Sequence, residues 1–276
     1  MMNIILLFFF FASSTQVAIS VTPDHIFLLA GQSNMVGYGG IGINGRWDGI
    51  IPPDCQSSPY IFRLDRSLCW SQAKEPLHAD IYVREKLAGV GPSMPFAKRI
   101  LELRPGYRTI GLVPCAYGGT TMDQWLKNYS HGEPSTINLY NNLIRRAMAS
   151  QRTGGRLAGL IWWQGGADAK DSTLAQQYGK KLERFFSDVR QDLRRPNLPI
   201  ILIVIPKGRP LKDEKLINKI RRAQLQMNNT ITNMVVFDPP KKLTYQPDHV
   251  HVSTPSQVLV GRELAELFCN AGSYYC

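Results

Sequence analysis

The chain contains a serine, an aspartate and a histidine, in that order, which together could hydrolyse an ester. The serine follows a predicted strand, and the aspartate lies three residues before the histidine. Ser33 comes directly after an apolar run at residues 26–30, which would place its hydroxyl at the exposed end of a strand. Asp248 precedes His251 by three residues, a spacing at which a turn lets the carboxylate accept a hydrogen bond from Nδ1 of the ring. We predict Ser33 as nucleophile, His251 as general base and Asp248 as the group that orients the base.

The histidine count supports this choice of base. The chain has five histidines, and His251 alone has an aspartate three positions before it. His249 is the competitor, which we expect to be structural or to face the substrate, because adjacent residues rarely share a face. The plain alternatives are a surface histidine beside a turn aspartate, and a serine that only caps a helix. The order Ser, Asp, His occurs in other serine hydrolases, but no G-x-S-x-G motif is present, which argues against the α/β-hydrolase fold.

Hydrogen-bond donors for a developing oxyanion are available after two other predicted strands. Gly118-Gly119 can expose backbone N–H groups, although two glycines also suit an ordinary turn. Gln164 follows the run at 157–163 and can donate through its side-chain amide. Gln32 and Asn34 flank Ser33 at the same strand end, so we expect them to contact substrate.

Alternating apolar strands and amphipathic helices must position these residues. Apolar runs predict strands at 26–30, 109–113, 157–163, 200–205 and around Val235-Val236. Helical periodicity predicts helices at 94–103, 139–152, 174–193, 215–229 and 257–268. This alternation predicts one α/β domain with about five parallel strands covered on both faces. The segment 37–91 breaks the alternation, and we expect it to be a surface or functional insertion.

The N-terminus predicts secretion. Residues 4–12 are almost purely apolar and are followed by small residues up to Ser20, which indicates a signal peptide at 1–20 and a mature domain at 21–276. In an oxidising compartment loop cysteines tend to pair. We therefore expect Cys55–Cys69 and Cys269–Cys276 disulfides, with Cys115 free. Two glycosylation sequons, at Asn128 and Asn228, agree with an extracellular or cell-wall location.

Composition narrows the choice of partners. The net charge is +11, but the basic residues are scattered pairs without interleaved aromatics, which argues against nucleic-acid binding. The N-terminal apolar run is too short for a stable membrane anchor. No C-x-x-C pair suggests a zinc site, and we expect neither a metal nor another cofactor.

Five sequence blocks carry a resemblance to a known family: Gly31-Gln32-Ser33-Asn34-Met35, residues 89–97, residues 115–125, Trp162-Trp163-Gln164-Gly165, and Asp248-x-x-His251. Similar blocks, in the same order, occur in the sialate O-acetylesterase-like (SASA) branch of the SGNH hydrolases. The resemblance covers residues 26–268.

The resemblance implies a three-layer α/β/α, flavodoxin-like fold and metal-free removal of O-acetyl groups from carbohydrates through a Ser-His-Asp acyl-enzyme mechanism. It assigns the oxyanion to the backbone of Ser33 and Gly119 and to the side chain of Gln164. One block departs from the family's Trp-Trp-Gln-Gly-Glu-Ser-Asp pattern, because Gly166-Ala167 replaces the Glu-Ser pair. That loss keeps an alternative open, a secreted carbohydrate-binding protein with little turnover.

Overall fold

The computed structural model describes residues 22–81, 88–130, 138–207 and 214–271. The expected signal peptide at 1–20 and Cys276 lie outside these residues.

A seven-stranded sheet forms the middle layer, in the order β3-β2-β4-β1-β5-β6-β7. Every neighbouring pair runs parallel except β2 and β3, which are antiparallel. The five predicted strands are present as β1, β4, β5, β6 and β7. The strands are β1 His25–Gly31, β2 Ile61–Leu64, β3 Trp70–Gln72, β4 Ile110–Pro114, β5 Arg156–Trp163, β6 Ile200–Ile203 and β7 Met234–Phe237.

The expected number of strands is too low, because β2 and β3 lie inside the insertion at 37–91. Both are short, and β3 forms an exposed edge whose residues are only partly covered, so neither leaves a clear apolar run in the sequence. β2 pairs with β4 in register from Ile61 to Arg63 and extends the sheet beyond the predicted edge. The insertion is therefore part of the sheet and not only a surface loop.

Helices cover both faces of the sheet, as predicted. They are α1 Ser33–Val36, α2 Ser93–Leu103, α3 Leu139–Ser150, α4 Ser172–Asp192, α5 Glu214–Gln226 and α6 Thr254–Asn270. Alternate residues of β1 point to opposite layers. Phe27 and Leu29 pack with α2 and α6, while Ile26 and Leu28 pack with α3, α4 and α5. Among the described residues, no helix has both the length and the apolar character needed to cross a membrane.

The strand order creates one natural crevice. From β4 across to β7, the strands follow the doubly wound order in which the first strand lies between the second and the third. β4 pairs with β1 on one side, and β5 pairs with it on the other. Ligands in such sheets bind beyond the carboxyl ends of the strands at this reversal, which here means beyond Gly31 and Trp163.

The predicted Cys55–Cys69 disulfide is wrong, because one of the two cysteines is buried and the other is exposed. Cys55 ends a short 3-10 turn, Pro53–Cys55, and is buried in the core on the side of α2, whereas Cys69 is exposed beside the β2–β3 turn. Both are free thiols, as is the buried Cys115. Burial, followed by the nearby carboxylates of Glu75 and Asp54, raises the pKa of Cys55. The second expected bridge involves Cys276 and lies outside the described residues.

We expect these thiols to differ sharply in reactivity. In the native protein Cys69 should react with a thiol reagent at once, while Cys55 and Cys115 should react only after unfolding, because the thiolate must be accessible to attack. Alkylation followed by peptide mass mapping, with Cys69→Ser as control, measures this. A Cys55–Cys69 peptide that appears only under non-reducing conditions would contradict the structure.

Candidate active site

The end of β1 places Ser33 at the crevice. Gly31 has φ 131°, and a Cβ on it would lie 2.2 Å from the carbonyl oxygen of Trp163, so only glycine allows this approach of β1 to β5. The backbone N–H of Gln32 donates to the same carbonyl at 2.8 Å. Ser33 then begins the single turn of α1. Within the described part of the chain, its backbone N–H has no hydrogen-bond partner.

The structure brings Ser33, His251 and Asp248 together in one hydrogen-bonded chain. Nε2 of His251 lies 2.7 Å from Oγ of Ser33, and Nδ1 lies 2.5 Å from Oδ2 of Asp248. Burial alone would raise the pKa of Asp248, but hydrogen bonds from the backbone and ring of His251 and from the backbone of Val250 outweigh it, and the pKa is lowered. Asp248 is therefore a carboxylate near neutral pH, and it favours the His251 tautomer with its proton on Nδ1.

A tight loop at 246–251 explains why His251 and not His249 meets the serine. Oδ1 of Asp248 accepts from the backbone N–H groups of Val250 and His251 at 2.8 and 2.9 Å. The backbone N–H of Gln246 donates to the His251 carbonyl at 2.7 Å and closes the loop. His249 sits in the left-handed region, with φ 55°, and its side chain is exposed.

Three contacts connect the C-terminal segment that carries this loop to residues 33–38. The backbone N–H of Val252 donates to Oδ1 of Asn34 at 3.1 Å, and Nε2 of Gln257 donates to the Asn34 carbonyl at 3.2 Å. The Tyr38 ring stacks on the His251 ring with centroids 4.1 Å apart. Asn34 is 2 % exposed and serves this anchor, so the contact with substrate expected from the sequence stays a prediction. No sequence signal marked Tyr38 or Gln257, because their roles arise only from tertiary contact.

The glycine loop after β4 offers the second oxyanion donor. Gly119 has φ 71° and is exposed, and its backbone N–H has no hydrogen-bond partner among the described residues. His78, fully buried, supports the start of this loop, because its Nε2 accepts from the backbone N–H of Ala116 at 3.3 Å. Burial, then the charges of Arg146 and Arg63, lowers the pKa of His78 to about 3, so its ring is neutral.

Gln164 lies at the end of β5, but its amide is already engaged. Nε2 donates to the Thr120 carbonyl at 2.7 Å and to Oδ2 of Asp168 at 2.6 Å. An amide nitrogen has two protons, so Gln164 can donate to an oxyanion only in exchange for one of these bonds. The carboxylate of Asp168 also accepts from the backbone N–H of Met122 at 2.9 Å. Gln164 and Asp168 thus join the loops that follow β4 and β5.

The side chain of Gln32 supports the loop after β5 that contains Gly166. Oε1 of Gln32 accepts long hydrogen bonds, both 3.4 Å, from the backbone N–H groups of Gly165 and Ala167. These two residues flank Gly166, which is buried. Gln32 is itself 6 % exposed, so its position supports this loop, and its expected contact with substrate stays a prediction.

A cavity of about 450 Å³ shares a wall with the histidine loop. Gln246 and Pro247, which directly precede Asp248, form that wall. Across from them lie residues of the insertion at 37–91: Asn44, Arg46, Trp47 and Asp48. An indole together with amide, carboxylate and guanidinium groups can contact both the apolar faces and the hydroxyl groups of a polar ligand. In the described residues, no cluster of three or more His, Cys, Asp or Glu side chains could hold a metal ion.

Several known proteins resemble this chain in sequence and in fold. A family profile described as carbohydrate esterase, sialic acid-specific acetylesterase, matches residues 23–270. A probable carbohydrate esterase from Arabidopsis thaliana is 38 % identical over 259 residues, which cover 92 % of this chain and 93 % of the relative.

Solved structures share the fold. A crystal structure of an Arabidopsis thaliana protein, 38 % identical, matches 92 % of this chain and all of its own with a TM-score of 0.80. NanS matches with a TM-score of 0.65 at 16 % identity, covering 90 % of this chain and 98 % of its own. A carbohydrate acetylesterase from Xanthomonas citri matches with a TM-score of 0.61 at 19 % identity, covering 88 % of this chain and 55 % of its own.

We predict that the buried carboxylate of Asp168 makes stability depend on pH. Burial raises its pKa from 3.8 to about 6, so between these values the folded protein binds more protons than the unfolded chain, and the free energy of unfolding falls as the pH rises. The loss amounts to as much as ~3 kcal/mol. Urea denaturation of Asp168→Asn from pH 4 to pH 8 should show a shallower fall in the lower half of this range.

The control is Asp188→Asn on α4, which should retain the full slope. Glu75, whose pKa burial raises to about 8, extends the fall to higher pH and is unchanged in both variants. An Asp168→Asn protein with the wild-type slope would show that this carboxyl group titrates normally in the fold.

Proposed function

The chain belongs to the family of carbohydrate esterases described as sialic acid-specific acetylesterases, and we propose that it removes O-acetyl groups from carbohydrates as a serine esterase. The observation that carries this proposal is the hydrogen-bonded chain from Ser33 through His251 to Asp248, at 2.7 and 2.5 Å. A serine hydroxyl is a weak nucleophile by itself, and an adjacent oriented base activates it.

In the proposed reaction, Nε2 of His251 takes the proton of Ser33 as Oγ attacks the acetyl carbonyl. The tetrahedral intermediate then collapses, the His251 imidazolium protonates the departing sugar oxygen, and an acetyl-serine remains. Water, deprotonated by the same ring, hydrolyses this ester and releases acetate. Asp248 stays ionised throughout and stabilises the imidazolium, in keeping with its lowered pKa.

Two backbone N–H groups are available as hydrogen-bond donors to the oxyanion. The N–H groups of Ser33 and Gly119 follow neighbouring strands, and neither has a hydrogen-bond partner in the described structure. Such preorganised donors stabilise charge without reorganising during the reaction. Gln164 becomes the third donor when its amide exchanges the bond to the Thr120 carbonyl for one to the oxyanion.

We place the alcohol half of the ester in the cavity beside the histidine loop. Gln246 and Pro247, which directly precede Asp248, line this cavity, so a sugar held there would lie near the loop that carries the base. The replacement of the family's glutamate by Gly166 favours a second candidate, a carbohydrate-binding protein with little turnover. Hydrolysis of p-nitrophenyl acetate separates the two, because the binding protein would not exceed the background rate.

We further propose that residues 1–20 are a signal peptide, that 21–276 form the secreted protein, and that the protein acts outside the cell. Two observations support this proposal: the apolar N-terminal run, and the exposure of both sequon asparagines, Asn128 and Asn228. N-terminal sequencing of protein from a secreting host should find a start near Val21, and an intact Met1 would contradict cleavage.

Ser33→Ala should lower kcat/KM for p-nitrophenyl acetate by about a thousandfold or more, because it removes the nucleophile. The change trades a small polar side chain for a smaller one, so circular dichroism and the thermal midpoint should stay close to wild type. Ser67→Ala, at an exposed turn, is the matched control and should keep full activity. Residual Ser33→Ala activity within tenfold of wild type would remove Ser33 from the mechanism.

The two neighbouring histidines should behave differently. His251→Ala should lose nearly all turnover, whereas His249→Ala, with its exposed side chain, should keep kcat and change KM at most. The wild-type rate should rise with pH as the imidazole becomes neutral, a group whose ordinary pKa is about 6.5. Steady-state kinetics from pH 5 to pH 9 measure both effects. An active His251→Ala protein beside an inactive His249→Ala protein would move the base two positions upstream.

A further inference from the structure

A basic cleft lies at the edge of the sheet opposite to Ser33. It opens at the amino ends of β5 and β6, whereas Ser33, Gly119 and Gln164 follow the carboxyl ends of their strands. Its volume is about 320 Å³. Three arginines line it, Arg156 at the start of β5 and Arg194 and Arg195 just after α4. The floor and rim are Leu157 and residues 196–199.

Within the cleft itself, no described acidic side chain compensates the charges of the arginines. All three arginines are exposed, and none of them makes an ion pair within the described parts of the chain. No Asp or Glu is among the described residues that line the cleft. The contact made by Arg195 is with the neutral Gln151, at 3.3 Å. The cleft thus gathers three of the positive charges of this basic chain, whose net charge is +11, on one concave surface.

The backbone holds these arginines in place. Arg194 takes the left-handed conformation, with φ 52°, and the backbone N–H of Arg195 donates back to the Arg190 carbonyl at 2.9 Å. The buried guanidinium of Arg190 fixes the floor, because it donates to the Leu198 and Thr232 carbonyls at 2.8 and 2.7 Å. Opposite, the backbone N–H of Arg156 donates to the Asp24 carbonyl at 2.9 Å. The backbone at all three arginines is therefore held in a defined position.

We propose that this cleft is a second carbohydrate site, which binds a carboxylate-bearing polysaccharide and holds the enzyme on acidic polymer while the Ser33 site faces away from it. Guanidinium groups pair with carboxylates through two parallel hydrogen bonds, and a neutral glycan has no charged group to offer them. The inference rests on the cleft and on membership of a carbohydrate esterase family, and it does not need the proposed mechanism at Ser33. A polyanion of another class, nucleic acid, is the alternative that the experiment must exclude.

The test uses the full mature protein and polygalacturonate as the probe, with neutral xylan as the uncharged polymer. Affinity electrophoresis or titration calorimetry measures binding at low salt and again with added sodium chloride. The cleft variant carries Arg156→Gln, Arg194→Asn and Arg195→Gln, since asparagine tolerates the left-handed backbone at position 194. The control variant carries Arg66→Gln, Lys180→Gln and Arg222→Gln, three exposed residues outside the cleft that change the net charge equally.

Wild type should bind polygalacturonate, bind it less tightly as salt is added, and bind xylan weakly or not at all. The cleft variant should lose at least about tenfold in affinity, a loss of ~1.4 kcal/mol, while the control variant stays within about threefold of wild type. Both should hydrolyse p-nitrophenyl acetate as wild type does. Arg156→Gln alone, at an exposed strand end, repeats the comparison if the triple variant unfolds.

Equal losses in the two variants would overturn the proposal, because net charge alone would then explain binding. So would wild-type affinity in the cleft variant with a lowered thermal midpoint, which would make these arginines a stabilising end to α4. Tighter binding of single-stranded DNA than of polygalacturonate, lost in the cleft variant, would assign the cleft to nucleic acid instead. An esterase-inactive protein that still shows the expected binding differences would sink the proposed function and leave this inference standing.

Discussion

A histidine and a serine that lie 218 positions apart must meet at hydrogen-bond distance, and most of the local structure serves that meeting. The histidine loop is closed on itself by Asp248 and Gln246, so its shape does not depend on the serine. Its position does depend on Asn34, the next residue after the serine, which accepts from the backbone N–H of Val252. One short helix turn thus carries both the nucleophile and the anchor for the base.

The sheet decides where this assembly can form. β4 and β5 pair with β1 on opposite sides. The carboxyl ends of these three neighbouring strands therefore surround one crevice, and each end contributes a different group. Gly31 brings β1 against β5, and the bonds of Gln164 to Thr120 and Asp168 join β5 to the glycine loop. Burial raises the pKa of the Asp168 carboxyl group to about 6, so its ionisation at neutral pH lowers the stability of the fold. The same carboxylate holds the loops after β4 and β5 together through its bonds to Met122 and Gln164.

Much of the architecture could be predicted from the sequence, because continuous apolar runs of β1, β4, β5, β6 and β7 are what buried parallel strands require. The serine, histidine and aspartate were also predictable, since their spacing reflects local turns and strand ends. Strands β2 and β3 were missed because short, partly exposed edge strands carry almost no periodic signal. The Cys55–Cys69 pairing failed because sequence separation says nothing about depth: one thiol packs in the core and the other faces solvent. The roles of Tyr38 and His78 could not be predicted either, because both depend on contacts with residues from distant parts of the sequence.

The central claim is that Ser33 is a nucleophile activated by His251, and covalent trapping tests it most directly. An activated organophosphonate ester should phosphonylate the native protein once, and peptide mapping should place the adduct on Ser33, because only an activated serine attacks phosphorus quickly. His251→Ala should react far more slowly, although its Ser33 is intact. An adduct on any other residue, or an equal labelling rate in His251→Ala, would contradict the account.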